Sequence, residues 1–205
     1  MTLTEALVVV VMLAILAAII LPRLADAKRK ASRPYCGNNV KQIILAFRIW
    51  ANDHNDKFPM EISTANGGTK GLAATGDAFS TFQIMTNELN TPALLHCPVD
   101  TAHTRATAWR NFTAKNVDFF IGLDANSSRP QAILTGDDNF AIGGVPVKSG
   151  LLKVSTNAPI SWTAERHQFH GNFGLVDGSA TQADPKLLVR ALIETGLATN
   201  RFAIP

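Results

Sequence analysis

Charge is scarce in this 205-residue chain: Asp, Glu, Lys and Arg make up 17% of it, against 46% apolar residues. An intrinsically disordered chain needs the opposite balance and is excluded. Cysteine is nearly missing, and the two present, Cys36 and Cys97, are too few for a disulfide-built scaffold. They also lack the paired spacing of a zinc motif, so no metal site is expected from them. Aromatic residues are 7% of the chain with a single tyrosine, which gives no basis for an extended aromatic path. The chain has no Gly-x-Ser-x-Gly, phosphate loop, Gly-x-Gly-x-x-Gly or His-Glu-x-x-His, so neither an enzyme nor a cofactor is expected. Nor is there a broad excess of one charge. Five basic residues (Arg23, Lys28, Arg29, Lys30, Arg33) and two acidic ones (Glu5, Asp26) lie in the first 33 positions, and the remainder balances at fourteen of each sign. The net +3 is therefore an N-terminal property, and a body-wide nucleic-acid footprint is not expected.

Apolar character is concentrated at the start. From Ala6 to Leu21 sixteen consecutive residues carry no charge, and only Glu5 interrupts the apolar run between Met1 and Pro22. As a helix, positions 1–24 reach roughly 36 Å, enough for a hydrocarbon core of about 30 Å. A cleaved signal peptide has its basic residues before the apolar stretch, whereas here they follow at 23–33. By the positive-inside rule alone, that basic flank stays in the cytoplasm. Glu5 needs a partner, because a carboxylate at an apolar span is costly; the nearest cation is the α-ammonium of Met1, its own or a neighbouring chain's.

Beyond this span the helix is expected to continue to about residue 53, with a kink or break near Pro34 and Gly37. Val40, Ile43, Ile44, Phe47, Trp50 and Ala51 form a stripe at helical spacing that buries one face against a globular head over 54–205. Asn52 to Pro59 ends it. A helix is expected over 78–89 and a last one over 185–195, entered by Pro185 and left at Gly196. Residues 118–123, 131–134, 151–155, 174–176 and 179–182 read as strands, the last two joined through an Asp177-Gly178 hairpin turn. The expected class is α+β, a long N-terminal helix packed on a head with an antiparallel sheet.

Thr2-Leu3-Thr4-Glu5-Ala6-Leu7, the apolar run behind it and Pro22 resemble the mature N-terminus of type IV pilins and pseudopilins. Met1 and Thr4 depart from that pattern, which commonly has Phe and Ile there. His167, nine residues and then Asp177-Gly178 is similar to the C-terminal His-x9-Asp-Gly signature of a prepilin-type family common in planctomycete and verrucomicrobial genomes. Asn38–Ile43, Asp53–Pro59 and Cys97–Asp100 also resemble that family. The resemblance implies a major pilin-like structural subunit of an extracellular helical filament. A prepilin peptidase processes and N-methylates it at Met1, unless Met1 is an ordinary initiator, and it sits in the inner membrane before assembly into a surface homopolymer. Glu5 then neutralises a neighbour's N-terminus and Pro22 lies within the packed helix. The family's leader also places its own basic residues in the cytoplasm, which reverses the orientation given above. A secretion-system pseudopilin and a membrane-anchored periplasmic binding domain are the alternatives. In an oxidising envelope the same resemblance implies a Cys36–Cys97 disulfide, the alternative being two separately buried thiols.

Among the remaining candidates, Glu165, His167, His170 and Asp177 form the one sequence cluster with metal-ligand chemistry, read here as structural hydrogen bonding beside a hairpin. Asp137-Asp138-Asn139 is the nearest approach to a calcium site. Asn111 and Asn126 head glycosylation sequons.

Overall fold

In a computed structural model of the chain the described residues are 2–205, except the side chains of residues 25, 28 and 29. Met1 and its assembly role lie outside them.

Helix α1 runs from Leu3 to Asp53, 51 residues and roughly 77 Å long. Its start is a capping box. Thr2 Oγ1 accepts from the Glu5 amide at 3.3 Å, and Glu5 Oε2 accepts from the Thr2 amide at 2.7 Å. Leu3–Leu24 is long and apolar enough to cross a membrane, and none of it is buried by the rest of the chain. The stripe from Val40 to Ala51 is buried as expected. His54 closes the helix, stacking on Trp50 at 4.0 Å with Nδ1 2.7 Å from the Trp50 carbonyl.

The break expected near 34–37 does not occur, since α1 passes through Pro22, Pro34 and Gly37. Pro34 is exposed, so its ring meets solvent, and its cost is one helical hydrogen bond. Gly37 serves a close approach instead, because a Cβ there would lie 3.1 Å from Asn172 Oδ1. The single helix expected over 78–89 is two, α3 (Ala78–Ile84) and α4 (Thr86–Leu89), preceded by the short α2 (Lys70–Ala73). Wholly buried Met85 leaves helical geometry between them, and Phe82 and Leu89 both reach the core.

Nine strands follow: β1 (Phe119–Gly122), β2 (Ile133–Asp137), β3 (Phe140–Ile142), β4 (Val145–Pro146), β5 (Gly150–Ser155), β6 (Ile160–Trp162), β7 (Gly171–Leu175), β8 (Ala180–Ala183) and β9 (Thr199–Ile204). Helix α5 (Pro185–Glu194) lies between the last two and is capped by Asp184, whose Oδ1 accepts from the Leu187 amide. Six strands make one antiparallel sheet in the order β5-β9-β1-β2-β7-β8, and β4-β3-β6 make a smaller one. The large sheet is covered on both faces. Phe119, Ile121 and Leu134 pack with the α1 stripe, while Phe120, Ile133, Phe173 and Phe202 pack with α5 and the small sheet. Burial on both sides explains why β1 reads as a continuous apolar run instead of alternating. Helix α1 crosses β7 closely, since a Cβ on Gly174 would sit 2.1 Å from Ile44 Cδ1. The Asp177-Gly178 turn joins β7 to β8 as expected, with Gly178 at φ +98°, a conformation that favours glycine.

Candidate functional site

Asp118, immediately before β1, is fully buried and is surrounded by side-chain nitrogens of His96, His103 and Arg166. His96 Nδ1 lies 2.8 Å from Oδ2 and His103 Nδ1 lies 2.7 Å from Oδ1; Arg166 Nη2 approaches Oδ1 at 3.6 Å. Arg166, from the segment joining β6 to β7, also bridges Asp100 at 3.2 Å and pairs with Asp138, just beyond β2. Backbone bonds fix the frame: Asp118 N–H donates to Leu95 O, Asp138 N–H to Asp118 O, and Arg166 Nη1 to Asp118 O. Three carboxylates thus face one guanidinium and two imidazoles in a nearly dry interior. The network opens on a cleft of 310 Å³ lined by Asp100, His103, Thr163, Glu165 and Arg166.

The electrostatics follow from these contacts. Hydrogen bonds to Asp100 and then Asp118 raise His103 to about 10. Burial pushes Asp118 up, but His103 and His96 outweigh it and hold the carboxyl well below the usual range. Burial dominates at Asp138 and lifts it to about 7 despite Arg166. A raised histidine stabilises fully below its unfolded value near 6.5, and the contribution is lost as pH rises through 10. The stability difference between the native chain and His103→Gln is therefore expected to be largest below about pH 6.5 and to shrink steadily to pH 10. Urea midpoints of both proteins across that range test this; a difference independent of pH means that His103 is not charged in the fold.

Directly behind this network lies a second cluster. Cys36 Sγ, from the buried face of α1, is 3.1 Å from Cys97 Sγ, and His167 Nε2 is 3.6 Å from Cys97 Sγ and 3.6 Å from Asp137 Oδ2. All four residues are fully buried. Asp137 Oδ2 accepts from the Asn172 amide at 2.7 Å and from Asn172 Nδ2 at 2.8 Å. The contact with Cys97, then burial, holds the Cys36 thiol up, while the same contact with Cys36, reinforced by His167, holds Cys97 down. Burial lifts Asp137 to about 6. The two clusters touch where the Cys97 amide donates to Asp118 Oδ2 at 2.5 Å.

Measured against the sequence expectations, the cysteines do meet, but as two free thiols in contact; the expected bond is not formed in this structure. Cys36, Cys97 and His167, from which no metal site was expected, present ligand atoms within 4.8 Å of one another. Asp100, His103 and Asp118 do the same, but Arg166 already occupies that position as the cation. The Glu165, His167, His170, Asp177 cluster is not assembled. His170 Nδ1 faces the Gln168 carbonyl at 2.9 Å, and Asp177 Oδ1 accepts from the Ser179 amide and hydroxyl in the β7–β8 turn. The spacing from His167 to Asp177-Gly178 spans strand β7, with the histidine at the buried cluster and the Asp-Gly at the far turn. Asp137, Asp138 and Asn139 do not converge as a calcium site would: Asp137 turns to Asn172, Asp138 to Arg166, and Asn139 Nδ2 to the His170 carbonyl. Asn111 is exposed, while Asn126 Oδ1 accepts from Ser128, the hydroxyl residue of its own sequon. Sequence reading missed Asp118, His96, His103 and Arg166 as partners, and missed Thr2, although Thr-x-x-Glu is a legible capping signature.

No protein-family model matches this chain, and no curated protein or solved structure matches it significantly.

Proposed function

We propose that this chain is a structural subunit of a type IV pilus-like helical filament at the cell surface, held in the inner membrane before assembly. One observation carries the reading: a single helix whose apolar first 22 residues find no burial within the chain, while its continuation is locked into the head. Such a segment needs lipid or other copies of itself. Copies of α1 packed side by side replace lipid contacts with helix–helix dispersion, and a repeated contact that does not close produces an open polymer. Prepilin peptidase and the pilus assembly machinery are the partners this reading requires. In it Glu5 meets the ammonium of a neighbour's Met1, and the head faces outward.

A second reading, a membrane-anchored periplasmic domain, is favoured by the capping box, which gives Glu5 a partner inside its own chain. Glu5→Gln separates the two, because glutamine can still cap the helix but carries no charge. Electron microscopy of material sheared from cells is expected to show filaments whose density traces this chain, and cells carrying Glu5→Gln are expected to lose them. Abundant filaments from the Gln variant would remove the charge from assembly. If the native chain stays with the membrane fraction and forms no filament, the anchored or secretion-pseudopilin reading replaces this one.

A further inference from the structure

Fully buried Cys36 from α1, Cys97 from the segment before β1 and His167 from the segment before β7 bring ligand atoms within 4.8 Å of one another, and a fourth fully buried side chain, Asp137 from the end of β2, lies beside His167. We propose that they bind one zinc-class divalent cation as a closed structural site with two thiolates, one imidazole and one carboxylate.

The spacing is close to what such an ion imposes. Tetrahedral zinc, with bonds of about 2.3 Å to sulfur and about 2.0–2.1 Å to nitrogen and oxygen, sets edges of about 3.8 Å between sulfurs, 3.6 Å between sulfur and nitrogen, and 3.4 Å between nitrogen and oxygen. The corresponding distances are 3.1 Å for Cys36 to Cys97, 3.6 Å for Cys97 to His167 and 3.6 Å for His167 to Asp137. Along these edges the sulfur pair has to open by less than about 1 Å, and the Asp137 carboxylate, which lies outside the 4.8 Å grouping of Cys36, Cys97 and His167, has to close on the ion. The outer contacts are those of metal ligands. His167 Nδ1 lies 3.4 Å from Ser32 Oγ, which leaves Nε2 facing the cluster, and Asp137 Oδ2 is held by two donors of Asn172. Asp137 Oδ1, the oxygen that Asn172 does not hold, is buried with no hydrogen-bond partner among the described residues, an unmet acceptor available to a cation. Sulfur and nitrogen donors select zinc over calcium or magnesium. Binding displaces two thiol protons, and the two thiolates offset the charge of the ion. With every ligand buried there is no open coordination position, so the ion ties α1 to the sheet and does no chemistry.

The full chain, solubilised in detergent, is the material for the test. As isolated, it is expected to carry one zinc per chain, with both thiols shielded from alkylation until a chelator is added. Cobalt(II) added to the reduced, metal-free chain is expected to give thiolate charge-transfer and tetrahedral d–d bands that saturate at one equivalent and disappear on zinc addition. Cys97→Ser should abolish those bands. Asn172→Ala, which removes one outer contact to Asp137, should weaken zinc binding about 10–100-fold while the far-UV spectrum is retained. A metal-free Cys36–Cys97 cystine in the isolated protein, giving no cobalt bands after reduction of the still-folded chain, would overturn the site. So would cobalt bands that survive Cys97→Ser.

Discussion

Arg166→Met is expected to lower folding stability by about 3–5 kcal/mol, the cost typical of removing one partner from a buried ion pair. Arg166 is 7% exposed and is the only guanidinium the described contacts bring to Asp100, Asp118 and Asp138. Methionine fills much of the same volume, so the loss is electrostatic and not a packing defect. His103 and His96 still serve Asp118, but Asp138 is left with no cation. Asp138→Asn introduced on top of Arg166→Met should therefore recover part of the loss. Urea unfolding of the detergent-solubilised full chain, followed by tryptophan fluorescence, reads both variants; a loss below about 1 kcal/mol for Arg166→Met would mean that the carboxyls are already neutral in the fold.

Phe47→Ala is the second large effect, about 3–5 kcal/mol by the usual cost of deleting a buried aromatic ring. Phe47 has no exposed surface and meets Phe58 and Phe82 edge-on, with centroids 5.9 and 6.2 Å away. It is the point at which α1, the turn after it and α3 share one contact, so truncation opens a cavity that three elements would have to move together to fill. The neighbouring Leu45, 58% exposed on the opposite face of the same turn, gives the internal control: Leu45→Ala should fall within about 0.5 kcal/mol of the native chain. Equal losses at the two positions would mean that the helix face has been wrongly placed.

Much of this fold is legible in the residues because it rests on local periodicity. The stripe from Val40 to Ala51, the apolar run of β1 and the Asp-Gly turn each carry their signal within a dozen positions. The small sheet does not. Strands β3, β4 and β6 hold three, two and three residues, too few for any period to emerge, and β9 owes its state to pairing with β1 and β5 far away in sequence. The two polar clusters are harder still, since Cys36, Cys97 and His167 are separated by 61 and 70 residues and no local pattern relates them. One partial clue was available: Cys36 extends the buried stripe backwards, at i, i+4, i+7 and i+11 with Val40, Ile43 and Phe47, and so belongs inside. In the sequence Glu5 reads as a charge in an apolar span that needs a partner beyond it, whereas the fold gives it one three residues away, the Thr2 amide.

Because α1 is helical through Pro22, Pro34 and Gly37 without interruption, the count of residues along it links the direction of its apolar half to that of the head. The azimuth at which the head projects is then set by the number of residues between Leu24 and Ser32. One inserted residue turns the head by about 100° about the rod and advances it by about 1.5 Å, whereas seven return it to within about 20° of its starting direction. In any array of these chains packed through their apolar halves, the pattern of heads on the outside is thus a matter of helical phase, fixed by counting residues along the helix.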